Sequence, residues 1–168
     1  MIEFSKKRNK VVRLNISEET VRELLASFIL VDLGMAHDSS DLIDRQIESF
    51  KKPESLETLS KMKEITRQMV VRVLAGDVKE LGPLLNEEWE LKKSLESHIS
   101  NPEINGFHSL MMEQGALGGK LLGAGDGGHL LFLSDISKRQ ALIETTIRSG
   151  YKYVPFKFDS QGAVSWTI

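Results

Sequence analysis

The stretch from Gly115 to Leu133, GALGGKLLGAGDGGHLLFL, gathers glycines ahead of an apolar run and sets one carboxylate, Asp126, among them. Glycine lets backbone come close to a ligand and aim several N–H groups at one anion. Gly123, Ala124, Gly125, Asp126, Gly127 and Gly128 are therefore candidates for a phosphate-facing loop, with Lys120 beside it. The pattern is not the strand–GxxxxGK[ST]–helix phosphate loop, because a strand follows and no Lys-Ser/Thr pair is present. It fails the dinucleotide fingerprint for the same reason. A tight β-hairpin with left-handed glycines accounts for these residues as well.

Other residues carry weaker signals. Trp89, Lys92 and Lys93 (WELKK) could set an indole and an ammonium over a sugar phosphate, or supply a core aromatic with a solvated rim. His37, His98, His108 and His129 show no metal-ligand spacing. Asp38, Asp41 and Asp44 recur every third residue, which suits dipole compensation near a helix start better than a magnesium site.

These groups must be positioned by elements that the rest of the chain supplies. Its 168 residues suffice for one domain with a real core, expected over 1–168, and are short for two. Hydrophobic residues at 40% and charged residues at 27% are the balance of an ordinary globular protein. A net charge of -2 offers no footprint for nucleic acid. No apolar stretch approaches the roughly 18 residues of a membrane span, and MIEFSKKRNK lacks the apolar core of a secretion signal. Cysteine is absent, which excludes disulfides, thiolate metal sites and cysteine catalysis, and fits a cytoplasmic location.

Asn9–Leu14 reads as a short strand, and Ser17 as the N-cap of a helix through Glu23. Ser27–Leu33 is a compact apolar run that reads as a buried strand. Helical spacing follows over Ala36–Phe50, with Pro53 ending that helix or opening the next. Leu56, Leu59, Met62, Ile65, Met69 and Val73 mark one face of a long helix over Glu54–Ala75, stopped by Gly76. Asp77 and Glu80 have capping-box spacing for a helix turning Leu81, Leu84, Leu85, Trp89 and Leu95 inward. Asn101-Pro102 starts a helix that ends at Gly115. Leu117–Leu122 and Gly128–Leu133 read as strands flanking the glycine turn. Ser137–Arg148 is an amphipathic helix, Tyr151–Phe158 an alternating strand, and Ala163–Thr167 a short last strand. This order predicts an α+β layer, an antiparallel sheet with helices packed on one face.

The segment GALGGKLLGAGDGGHLLFL resembles the third signature of the GHMP small-molecule kinases, G-A-x-x-x-G-A-G-G-G-G before an apolar strand. LGMAHDSSDLI, WELKKSLESHISNPEI and VPFKFDSQG resemble the heptose 7-phosphate kinase branch, so the likeness runs from about residue 10 to the end. It implies a ferredoxin-like C-terminal domain. It also implies that the family's phosphate loop, P-x-x-x-G-L-G-S-S-A, and its catalytic aspartate belong to an N-terminal half that these residues do not include. That branch usually carries Arg at the position of His37 and Gly at that of Asp126. The first change replaces a fixed cation with a group mostly neutral at pH 7, and the second sets a carboxylate beside the phosphate position.

The resemblance therefore implies the substrate-side half of a sugar or sugar-phosphate kinase, not expected to phosphorylate alone. ATP and magnesium would serve only the assembled kinase, with no cofactor for the isolated chain. Gly123–Gly128 and Lys120 would line the cleft, with His37, Lys92 and Lys93 as weaker substrate-side candidates and Asp126 as a potential magnesium ligand. The expected partners are an N-terminal half, or a second copy, on the side of the glycine loop. A non-catalytic module that binds a sugar phosphate or a protein is the alternative.

Overall fold

A computed structural model describes residues 1–34, 40–159 and 161–166. Four antiparallel strands form the main sheet: β3 (Phe28–Asp32), β4 (Ala116–Leu121), β5 (His129–Ser134) and β6 (Lys152–Val154). β1 (Ile2–Glu3) and β2 (Lys10–Val11) form a separate hairpin ahead of them. The sheet order is β4-β5-β3-β6, so the two central strands are the first and third of the four in sequence. That is the ferredoxin-like arrangement expected from the sequence.

β3 pairs with β5 on one side and β6 on the other, and its side chains alternate: Ile29 and Val31 are fully buried, while Phe28 and Leu30 are half-buried. Together with Leu130 and Phe132 of β5 they form the floor of the main core. That floor is covered by Trp89 of α4 (Leu81–Leu95), by Ile104, Phe107 and Met111 of α5 (Pro102–Glu113), and by Leu142 and Ile143 of α6 (Ile136–Arg148). A second cluster gathers Leu24 of α1 (Glu18–Ser27) with Val78, Leu81, Leu85 and Leu133. The long α3 (Pro53–Ala75) packs partly on each cluster, through Leu59 and Met62 on the first and Met69 and Val73 on the second.

Local signals set most boundaries. Ser17 accepts from the Thr20 N–H at 3.0 Å, and Asn101 from the Ile104 N–H at 2.9 Å, each satisfying an orphan amide of the first turn. Pro53 and Pro102 open α3 and α5, where a missing N–H costs nothing. Gly76 ends α3 at φ +82°. Asp135 caps α6 and pairs with Lys79 at 2.5 Å, and these bonds hold its carboxyl down at about 2.

Four expectations are corrected. The Asp77/Glu80 capping box does not form, because Arg72 pairs with Asp77 at 3.3 Å and a 3-10 turn, Val78–Glu80, intervenes before α4. The strand expected over Tyr151–Phe158 stops at Val154, since Pro155 has no N–H for the ladder. No strand forms over 163–166, where Val164 and Trp166 stand exposed. Asn9–Leu14 contributes only the two residues of β2.

Candidate functional site

The glycine loop joins β4 to β5 and is held from three sides. Leu122 N–H donates to His129 O at 2.8 Å, closing the neck of the turn. Lys92 of α4 donates through Nζ to Gly123 O at 2.6 Å. Gln46 of α2 (Ser40–Phe50) donates to Ala124 O at 2.5 Å. Asp126 N–H donates to Ile99 O at 2.8 Å, at the end of the turn leading to α5. Gly125 must be glycine here: its φ is +134°, and a Cβ would stand 2.8 Å from Ile99 O.

Asp126 is the exception within this loop. Its φ of +58° is the only positive value at a non-glycine among the described residues. Aspartate tolerates that region better than most side chains, and its Oδ1 receives Asn101 Nδ2 at 3.4 Å. The α5 N-cap residue thus touches both its own helix and the loop.

The lysines have separate surroundings. Lys120 forms an ion pair with Glu88 across β4 and α4, both largely shielded from water. Lys92 is half-buried; burial pushes its pKa down, nearby Lys120 adds to that, and Glu88 opposes it. Lys93 turns elsewhere, 5.5 Å over the Trp89 ring and paired with Glu90 at 2.8 Å. Trp89 itself is wholly buried, so it serves as core and its indole offers no face to a sugar. Of the sequence candidates, Lys92, Lys120 and the loop therefore come together, and Lys93 stands apart. His37 and Asp38 lie outside the described residues, while Asp44 is exposed on α2.

The strand that feeds the loop is fixed by close backbone packing. The start of α4 lies directly on β4: a Cβ on Gly118 would sit 1.9 Å from Gly82 O, and one on Gly82 would sit 2.6 Å from Leu117 O. Asn86 accepts the Gly119 N–H at 2.9 Å, and His108 Nε2 lies 3.0 Å from Gly119 O. Both outward backbone groups of Gly119 in β4 are thereby met by side chains. The ring of His108 is half-buried, and that burial lowers its pKa against the raising effect of the Gly119 contact.

Gln46, Asn86, Glu88 and His108 were not singled out in the sequence as partners of this region. Gln46 lies 78 residues from Ala124, and nothing in local spacing joins them. Asn101 alone had a readable signal, as an N-cap before proline. Among the described residues no group of three or more His, Asp or Glu side chains is placed to hold a metal ion. A groove of about 720 Å³ between α2 and the end of α4 is lined by Asp44, Arg45, Ile47, Lys52, Leu95 and Glu96, so of the sequence candidates it includes Asp44 but neither the loop nor the lysines beside it.

A ferredoxin-like α+β layer with a pinned glycine loop between its second and third strands defines the class. The GHMP kinases C terminal family matches residues 62–152, and the chain belongs to that family. It is 29% identical over 166 residues to D-glycero-alpha-D-manno-heptose 7-phosphate kinase of Campylobacter jejuni, covering 98% of this chain and 49% of that protein. The crystal structure of a putative sugar kinase from Campylobacter jejuni superposes with a TM-score of 0.71 at 27% identity, covering 99% of this chain and 47% of that one. A D-glycero-D-manno-heptose 1-phosphate kinase from Bacteroides thetaiotaomicron shares the fold, with a TM-score of 0.70 at 23% identity over 99% of this chain and 44% of its own. The chain is homologous to the C-terminal part of these kinases and spans about half the length of the heptose 7-phosphate kinase it matches. No helix of the described residues is long and apolar enough to cross a membrane.

Proposed function

We propose that this chain is the substrate-side half of an ATP-dependent sugar-phosphate kinase of the heptose 7-phosphate type, active only when a phosphate-binding half completes the cleft. The observation that carries the reading is the likeness to such a kinase over 98% of the chain, glycine loop included, against 49% of the relative. In the assembled enzyme the γ-phosphoryl group of ATP passes to a sugar hydroxyl, a reaction catalysed mainly by positioning and by electrostatic stabilisation with magnesium.

The residues of this half fit a supporting wall better than a complete nucleotide site. The carbonyls of Gly123 and Ala124 and the amide of Asp126 are already bound to protein groups, which holds the loop as a fixed ledge. Lys92 and Lys120 stand beside that ledge as the cations available to an anionic substrate, each partly committed to Gly123 O or Glu88. Next to it, α2 exposes Ile43, Ile47 and Phe50 on one face while its Gln46 reaches the loop. Apolar surface so placed favours cover by a second domain, and domain contacts within one chain bury on the order of 600–1,500 Å².

The test is a coupled kinase assay with heptose 7-phosphate, ATP and magnesium. The 168-residue chain alone should give no turnover, and the same chain supplied with the N-terminal half of the Campylobacter relative should give turnover that Lys92→Met diminishes. Phosphorylation by the chain alone would overturn the half-enzyme reading.

A further inference from the structure

The groove between α2 and the end of α4 lies outside the glycine-loop site, and its walls are fixed. Ser49, buried on α2, donates to Leu95 O and so ties α2 to the end of α4. Ser55 in the first turn of α3 donates to Ser49 O at 2.7 Å and ties in the third helix. The volume of about 720 Å³ is therefore formed before anything enters it. It falls within the roughly 300–1,000 Å³ of small-molecule sites, and a preformed site loses little ordering entropy on binding.

Charge decides what the groove fits. It is lined by two cations, Arg45 and Lys52, and by three acids, Asp44, Glu48 and Glu96. Two of the acids are already engaged. Glu48 pairs with Lys51 at 2.5 Å, and Glu96 receives the His98 N–H and lies against the His98 ring Nδ1, each at 2.7 Å. Among the described residues, neither Arg45 nor Lys52 has an ion-pair partner. Two unpaired cations thus stand against the one uncommitted carboxylate of Asp44. Lys52 follows Arg45 by seven residues, about 10 Å at 1.5 Å per helical residue, so one anion can be reached by both long side chains. Beside them are acceptors for hydroxyl groups: the carboxylates of Asp44 and Glu96, and the oxygen of Ser94, whose own proton goes to Leu91 O at 2.7 Å. Ile47 and Leu95 add apolar surface for C–H edges.

We propose that this groove is a second binding site, for a phosphorylated sugar, with Arg45 and Lys52 on the phosphate and Asp44, Glu96 and Ser94 on the hydroxyls. Neither Lys92 nor Lys120 lines it, so the assignment does not rest on the half-kinase reading. On another face of the same helix Gln46 holds Ala124 O, which places the groove's occupant against the helix that clamps the glycine loop.

The probe is glucose 6-phosphate, titrated into the full 168-residue chain and followed by calorimetry and by NMR amide shifts, with inorganic phosphate and glucose in separate arms. The expected result is saturable binding that shifts the amides of residues 44–52 and 94–97, at least about tenfold tighter than either fragment alone. Arg45→Gln and Lys52→Gln should each weaken it by about tenfold, the usual loss for a charge-assisted hydrogen bond, without changing the melting temperature, because both side chains are exposed. Lys92→Met should leave it unchanged. Absence of saturable binding overturns the proposal. So does binding that Lys92→Met removes and the groove variants keep, which would put the sugar phosphate at the glycine loop. Equal affinity for inorganic phosphate would reduce the groove to an anion site and overturn the sugar assignment.

Discussion

Two strand edges of this molecule face opposite fates. The outer edge of β4 is closed at Gly119: Asn86 and His108 take both of its backbone groups, α4 lies against Gly118, and the loop beyond is held by Lys92, Gln46 and Ile99. The β1–β2 hairpin is unfinished, with Ile2, Phe4 and Val11 in water and its outward groups open. A domain evolved to stand alone covers or charges its edges. This chain blocks the first edge and leaves the second open.

The comparison can be broken most forcibly at Gly118. Gly118→Ala places a methyl group 1.9 Å from Gly82 O, so α4 must lift off β4. Overpacking of that kind costs about 3 kcal/mol or more, read as a lowered midpoint in urea unfolding. A variant as stable as the original would show that the close approach is not real.

Next in size is Asn86→Ala, which strands the Gly119 N–H on the shielded edge. A loss of about 1–3 kcal/mol is expected for a buried amide left without its acceptor. No loss would mean that water already serves this edge.

His108 sharpens the picture through pH. Its folded pKa lies below the ordinary 6.5, because burial outweighs the Gly119 contact. The unfolded chain therefore binds the proton more readily. Its contribution to stability is full above pH 6.5 and is lost as pH falls below that value, towards the lower folded pKa. Denaturation midpoints measured from pH 8 to pH 5 should fall across that window, and His108→Gln should flatten the fall. A profile unchanged by the substitution would remove His108 from the edge's defence.

The legible and illegible parts of this chain divide along the same line. Helix starts at Ser17, Pro53 and Asn101-Pro102 were readable because capping is local chemistry, and the short apolar run ending at Gly34 marked β3 as a buried strand. The glycine stretch was readable as a turn between two strands. Its clamps were not, since Gln46, Lys92 and Ile99 reach it only through tertiary packing. The Asp77/Glu80 pattern misled for a related reason: Arg72, on the preceding helix, competes for the capping carboxylate. The first strand of the hairpin carried no signal at all, because two exposed residues have no alternation to show.

The smallest effect concerns Asp126. Asp126→Gly relieves the left-handed backbone cost of about 1–2 kcal/mol, less the greater chain entropy of glycine and the 3.4 Å contact with Asn101. A net gain of up to about 1 kcal/mol is expected in thermal unfolding. If the carboxylate also repels substrate, the same variant should bind a sugar phosphate more tightly by calorimetry. A destabilised variant would instead make Asp126 a needed link to α5.

Hydrogen exchange on the unaltered chain, in a sample shown by light scattering to be monomeric, tests the contrast between the two edges most directly. The amides of Gly119 and Asp126 should exchange at least about a thousandfold more slowly than those of Glu3, Lys10 and Val11. Hairpin amides as slow as Gly119 in the monomer would show that residues 1–12 are already covered by the chain itself, and would contradict the account.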